Sequence, residues 1–295
     1  MGALAFSQHK GEHLHSPSND ILVRSHQEPW LKMDRQTSPS WQGAGCTDTG
    51  LVRQMNQDAF AVDNDLGFWI VADGMGGHAG GGIASRIAVD SLVGTIRAAC
   101  SAGGSLSIGP SQVVDLLTEA LSIAHEAIHD AAVQNQELKG MGTTIVVCLL
   151  CPGFPSQAVL AHVGDSRAYL LRDRLLHALT IDHSYVQKLV AQGSLTEDEA
   201  SRHPQRNVLL RALGIPGQSI PDTRVQPLEP HDELLLCTDG LTKMLREDEI
   251  LSLLSDTQTS PTDMSRQLVD RANEKGGKDN TTVVLIRPHR SSAAN

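Results

Sequence analysis

Residues 143–172 read TTIVVCLLCPGFPSQAVLAHVGDSRAYLLR. Three apolar runs, TTIVVCLL, QAVLAHVGD and RAYLLRD, succeed one another here, rich in β-branched residues and bounded by turn formers, which marks strands. The connectors are too short for parallel crossovers, so the three strands are expected to pair antiparallel. Working outward, DAFAV, GFWIVAD, DELLLCTD and TTVVLI carry the same strand signature. Helical spacing appears in two blocks. Ile83, Ile87, Ala88, Leu92 and Ile96 share one face, and Val113, Leu116, Leu117, Ala120, Leu121, Ala124 and Ile128 share another. Such helices would cover a sheet. The pattern predicts an α+β fold with two antiparallel sheets stacked face to face and flanked by helices.

Residues 183–217 interrupt the scheme with a polar, helix-forming insert, HSYVQKLVAQGSLTEDEASRHPQRNVLLRALGIPG, which reads as a flap beside a site. Within it Thr196 and Glu199 form a capping box. Further on, Ser260, Pro261 and Asp263 supply an N-cap, a first-turn proline and an acid near the positive helix end. Residues 1–43 are rich in Ser, Pro, Gln and His without sustained periodicity and read as a disordered or loosely ordered extension. One domain is expected over residues 44–288, with a short tail at 289–295.

The chain of 295 residues is long enough to bury a core without disulfides. Its formal net charge is -10, and residues 1–45 hold four acids and four bases, so the acidic surplus lies in the remainder. That balance argues against a nucleic-acid partner, which calls for clustered Lys and Arg. It suits carboxylates gathered to hold cations. Five cysteines, an odd count at irregular spacing, do not make a secreted disulfide framework. Cys148 and Cys151, three residues apart on a strand, are expected on opposite faces as small buried side chains. No run approaches the ~20 apolar residues of a membrane span, and no signal-peptide pattern opens the chain. A cytoplasmic protein is expected, with no membrane partner; no heptad seam argues against a monomer.

The most informative feature is a recurring arrangement in which an apolar strand meets an aspartate beside a turn residue. It occurs as WIVADG at Asp73, AHVGDS at Asp165 and LLLCTDG at Asp239. Asp58 in MNQDAF and Asp279 in GGKDNTT lead into strands instead. Each alone is explained by the turn preference of Asp-Gly and Asp-Asn. Five together imply carboxylates collected at one end of a sheet, which repel unless cations neutralise them. Oxygen-only ligands favour Mg²⁺ or Mn²⁺ over zinc, and paired ions of this kind serve phosphoryl transfer. Arginine suits two-pronged phosphate binding. Arg53, five residues before Asp58, is the candidate; Arg167 is its competitor and is expected to brace the Asp165 loop.

TDTGLVRQMNQD, VADGMGGHAGG, MGTT, HVGDSR, DHS, RALG, CTDGLT and GGKDNTTVV occur in the order and spacing of the metal-dependent protein phosphatases, the type 2C serine/threonine phosphatases. Between about Cys46 and Arg287 the chain resembles their compact bacterial branch. The resemblance implies a binuclear Mn²⁺/Mg²⁺ centre that hydrolyses phosphoserine and phosphothreonine in phosphoprotein substrates, a metal-bridged hydroxide attacking phosphorus in line. It implies Asp73 as bridging ligand, the Gly74 carbonyl on one ion, Asp239 and Asp279 as further ligands and Asp58 acting through water. Asp165 resembles the ligand of a third, weaker ion, and Arg53 the phosphate-binding arginine. Two positions depart from the pattern. Gln57 stands where many relatives have Glu, and Met75 stands where eukaryotic members have a histidine. His78, three residues on, is then available for catalytic leaving-group or substrate contacts, as is a water.

Two rivals remain. Gly74, Gly76 and Ala79 fit a dinucleotide fingerprint, but Asp73 abutting the first glycine would repel a pyrophosphate. A catalytically silent binding module typically lacks one or more metal aspartates, whereas all five stand here.

Overall fold

The computed structural model describes residues 40–77, 80–102, 109–151, 154–217 and 219–288. Two antiparallel sheets stack between helical layers. One sheet runs β1 (Trp41–Asp48), β11 (Thr281–Pro288), β10 (Glu233–Cys237), β7 (Arg167–Arg172) and β8 (Leu175–Ala178). The other runs β2 (Asp58–Asp63), β3 (Phe68–Met75), β5 (Ile145–Cys151), β6 (Phe154–Val163) and β9 (Asp222–Pro227), with the two-residue β4 (Gly142–Thr143) beside β3.

Period-two alternation sorts each strand between layers. Trp69, Val71, Val146, Cys148 and Leu160 face Leu170, Leu234, Leu236, Val284 and Ile286 across the inter-sheet core. Phe68, Ile70, Ile145, Val147 and Leu149 point the other way, against α1 (Gly80–Ala102) and α2 (Pro110–Gln134). Leu117, Ala120, Leu121, Ala124 and Ile128 of α2 and Ala88, Leu92 and Ile96 of α1 are buried there, the faces that the spacing predicts. On the outer side of the other sheet, Tyr169, Leu235, Cys237, Val283 and Leu285 meet α6 (Glu247–Leu254) and α7 (Pro261–Glu274). Cys148 lies in the inter-sheet core and Cys151 in the α1/α2 layer, so the C-x-x-C pair does point to opposite faces.

Two differences from the sequence reading stand out. β1 starts at Trp41, three residues before the expected domain boundary, and pairs with β11 along its whole length. Its glycines disguise it, yet they are required. A Cβ on Gly43 would enter the Trp69 indole, and one on Gly45 would come within 2.7 Å of the Phe60 ring. The three strands of 143–172 also do not pair in succession. β5 and β6 do, but β7 joins the facing sheet beside β10. Gly164, with a φ of +106°, permits the tight turn against Thr144 at this crossing between sheets.

The insert at 183–217 forms α3 (Tyr185–Ala191) and α4 (Glu197–Arg202). Ser184 caps α3 through Gln187 N–H at 3.2 Å. Thr196 and Glu199 close the expected capping box, Thr196 N–H donating to Glu199 at 2.8 Å and Glu199 N–H returning at 3.3 Å. Among the described residues no helix is long and apolar enough to cross a membrane.

Candidate active site

The antiparallel order brings the aspartate-bearing strand ends together. Asp58 opens β2 directly opposite Asp73, near the end of β3. Asp239 begins the short helix α5 (Asp239–Thr242) immediately beyond β10, and Asp279 stands just before β11. Asp165 occupies the crossover between β6 and β7. Arg53, Asp165, Asp239 and Asp279 line a cleft of about 680 Å³ whose other wall includes Gln187 and Arg206 of the insert.

Hydrogen bonds fix the acids without satisfying them. Thr282 Oγ1 donates to Asp58 Oδ2 at 2.6 Å and Thr238 Oγ1 to the same oxygen at 2.9 Å. Thr144 braces the Asp73 backbone from both sides, accepting its N–H at 3.1 Å and donating to its carbonyl at 2.9 Å. Asp58 Oδ1 and Asp239 Oδ1 are buried with no hydrogen-bond partner. Burial pushes the Asp58 carboxyl up to about 7, with Asp239 and Asp279 adding to the rise against the two threonine hydroxyls. Asp73 is raised well above the ordinary range, by burial first and then by the surrounding acids. Asp165 is pushed up to about 8 by burial, Asp239 and Asp182. Asp239 is raised by burial despite Lys243. An oxygen-only donor set with two orphaned buried carboxylate oxygens fits a hard divalent cation.

The backbone is shaped to the same end. Gly74 N–H donates to the Gln57 carbonyl at 3.1 Å. A Cβ at Gly74 would fall on the Gly81 carbonyl and within 2.5 Å of Gln57 O, so the chain can pass there only as glycine. Asn280, next to Asp279, accepts the Gln57 N–H at 2.9 Å and donates to the Thr49 and Met55 carbonyls, both at 2.9 Å. It thereby ties the Arg53 loop to the cluster.

The two candidate arginines separate cleanly. Arg53, half-exposed, grips Asp279 with Nε at 2.9 Å and a terminal nitrogen at 3.0 Å. Arg167 forms a two-pronged pair with Asp182 at 2.8 and 2.7 Å and also donates to Tyr169 Oη at 3.0 Å. It is committed to Asp182, in the segment between β8 and α3, and to Tyr169. His78 lies outside the described residues.

Sequence reasoning misses Lys243. Its ammonium pairs with Asp239, one helical turn earlier, and with Asp279 at 3.2 Å. Burial alone would lower its pKa, but the two carboxylates outweigh burial and raise it. The i, i+4 spacing in DGLTK was the available signal. His183 of DHS is a second residue to which the motifs alone assign no role. Its backbone N–H donates to Gly164 O at 2.9 Å, and its Nδ1 accepts Gly164 N–H at 3.1 Å, anchoring the Asp165 crossover to the base of the insert.

His183 also approaches His162 and Asp222, a trio whose ligand atoms lie within 4.8 Å of one another. Because Gly164 N–H occupies Nδ1, neutral His183 carries its proton on Nε2, facing Asp222 at 3.2 Å. The Arg211 guanidinium sits against the same groups, 2.8 Å from Asp222 and 3.2 Å from His183 Nε2. This is an anchoring cluster, not a cation seat.

Residues 43–275 match the family model described as protein phosphatase 2C. The chain is 37% identical over 243 residues to a serine/threonine phosphatase, stp, of Listeria monocytogenes, covering 81% of this chain and 93% of that one. It is also 37% identical over 258 residues to protein phosphatase PhpP of Streptococcus pneumoniae, covering 84% and 97%. Among solved structures, the serine/threonine phosphatase of S. agalactiae superposes with a TM-score of 0.76 at 36% identity, covering 84% of this chain and all of that one. The catalytic domain of the phosphatase PstP, solved with 2 manganese ions, gives a TM-score of 0.73 at 31% identity, covering 85% and 99%. With the motifs, the two-sheet architecture and these matches in agreement, the chain belongs to the protein phosphatase 2C family of serine/threonine phosphatases.

Proposed function

We propose that the aspartate cluster is the catalytic centre of this phosphatase and holds two divalent ions, Mn²⁺ or Mg²⁺, on Asp73, Asp239, Asp279 and the Gly74 carbonyl. Asp58 contributes through water, and Asp165 serves an outer, weaker ion. The observation that carries this reading is the convergence of five strand-end carboxylates, two of whose buried oxygens have no partner. Bound divalent ions supply an acidified water and neutralise charge on the phosphate oxygens.

The chain's own residues do the positioning. Thr238 and Thr282 fix the Asp58 carboxyl, and Thr144 holds the Asp73 backbone. Arg53 takes the phosphate monoester in this reading, which its half-exposed guanidinium at the cleft beside Asp279 supports. A phosphate can then share that fork, fixing the phosphoserine or phosphothreonine ester for attack. Gln187 and Arg206 of the insert line the far wall, where peptide on either side of the phosphoresidue would pass. His78 is assigned a leaving-group or substrate contact on its motif alone. Residues from Trp41 through Pro288 form the catalytic domain in this reading.

The test is hydrolysis of a phosphothreonine peptide with Mn²⁺, with EDTA and with Asp239→Asn. Turnover should require the metal and vanish in the variant. Turnover indifferent to EDTA, or retained by Asp239→Asn, overturns the assignment.

A further inference from the structure

Lys243 is placed oddly for a site built to hold cations. Its side chain bridges two of the carboxylates proposed as metal ligands, Asp239 and Asp279, and its charge also acts on Asp165. The bridge is not a chance surface contact. Lys243 caps α5, its backbone N–H donates to Asp239 O at 2.8 Å, and the single turn between them points both side chains the same way. The lysine side chain is only 30% exposed and Asp239 14%, so water screens the pair weakly. Arg53 adds a second positive group on Asp279.

Resting on the metal-centre reading above, we infer that Lys243 is a tethered cation that competes with divalent ions for Asp239 and Asp279. An ion reaching these carboxylates must break both ammonium contacts. It must then tolerate the displaced positive charge nearby, because the backbone bond to Asp239 keeps the lysine stem in place. The cleft that Lys243 lines gives the displaced side chain somewhere to go. Lys243 therefore lowers the affinity of the cluster for metal, most strongly for the ion nearest Asp239 and Asp279. It also neutralises part of the cluster when that ion has left, which keeps the metal-free fold from being driven apart by its own acids.

Mn²⁺ titration of EDTA-stripped protein, monitored by calorimetry and by direct metal analysis after gel filtration, tests the inference. Wild type, Lys243→Met and Lys243→Arg are compared, each checked for folding by circular dichroism. Lys243→Met should bind one of its two tighter Mn²⁺ ions at least tenfold more tightly than wild type or retain one more ion, while Lys243→Arg should stay near wild type. Thermal unfolding in EDTA should show Lys243→Met less stable than wild type, and saturating Mn²⁺ should close or reverse that gap. A lower melting temperature with unchanged Mn²⁺ affinity and stoichiometry reduces Lys243 to a structural role and overturns the inference. Should Lys243→Met not fold, Lys243→Gln carries the same comparison. Wild type that binds no Mn²⁺ at all overturns the metal-centre reading itself, a result distinct from equal binding by wild type and variant.

Discussion

Asp58→Asn should make the metal-free protein more stable at pH 8, although it removes a group proposed to serve the metal centre. Burial raises the Asp58 carboxyl to about 7 in the fold, against about 3.9 in an unfolded chain. A carboxyl shifted this way favours the folded state while it is protonated. Its contribution is intact below about pH 4, declines as pH rises towards 7, and then stays lost. At pH 8 the full difference corresponds to about 4 kcal/mol against folding. Asp73, Asp165 and Asp239 are raised as well, and neighbouring acids release protons as a set. Neutralising one of them should recover part of that total. Asparagine can preserve the local hydrogen bonds, since its carbonyl oxygen can take the Thr238 and Thr282 hydroxyls that now donate to Oδ2. Its amide would then replace the orphaned Oδ1 with a donor among the neighbouring carboxylates. Urea unfolding in EDTA should show Asp58→Asn more stable at pH 8, with the gap narrowing at pH 5. Added Mn²⁺ should narrow that gap, because a tightly bound ion stabilises wild type by about 2.7 kcal/mol at 100 times its Kd and the variant, lacking the Asp58 charge, binds it more weakly. An asparagine variant less stable than wild type in EDTA at pH 8, or a gap indifferent to pH, would refute the reasoning.

The same geometry sets two further outcomes. Arg53→Ala should raise KM for phosphopeptides far more than it lowers kcat, because its proposed partner is the substrate phosphate; steady-state kinetics with saturating Mn²⁺ read the split, and wild-type KM would refute it. Gly74→Ala should cost about 3 kcal/mol or more by overpacking against fixed backbone, since the added Cβ meets the Gly81 and Gln57 carbonyls. Denaturant unfolding measures that loss, and a wild-type midpoint would show that the close crossing is not a constraint.

The parts of this fold legible in the sequence were those where apolar periodicity and turn chemistry agree. The strands leading to Asp73 and Asp239, β3 and β10, announce themselves by an apolar run meeting Asp-Gly, and α1 and α2 by their buried faces. β1 was not legible, because WQGAGCTD carries two glycines that weaken any strand signal. Their reason lies in Trp69 and Phe60, which are distant in sequence. The crossing of β7 to the other sheet was hidden for a related reason. A short connector excludes a parallel crossover, yet it cannot distinguish a hairpin from a step between stacked sheets, and Gly164 permits the step. Lys243 shows the same limit at the site. The i, i+4 spacing to Asp239 hints at one of its partners, but the other is Asp279, which the fold brings to it from 36 residues away.

The cluster is costly by itself, and the surrounding residues show how the fold tolerates it. Asp58, Asp73, Asp165 and Asp239 are all raised by burial, so each carboxylate opposes folding when ionised. The frame beneath them is correspondingly overdetermined. Buried strands β3, β5, β10 and β11 run into the site with Ile70, Val146, Leu236 and Val284 fully enclosed. Thr144, Thr238, Thr282 and Asn280 then fix the positions that apolar packing cannot. None of these polar groups donates to Asp239 Oδ1 or Asp58 Oδ1. A site optimised for stability alone would have filled those positions with donors or replaced the acids with apolar residues. Leaving them open, while holding their carboxylates rigidly at the ends of two apolar sheets, makes sense when a cation supplies the missing partner. On the proposed metal assignment, occupancy and folding stability form one linked equilibrium, with Lys243 and Arg53 as the positive groups already attached to the chain.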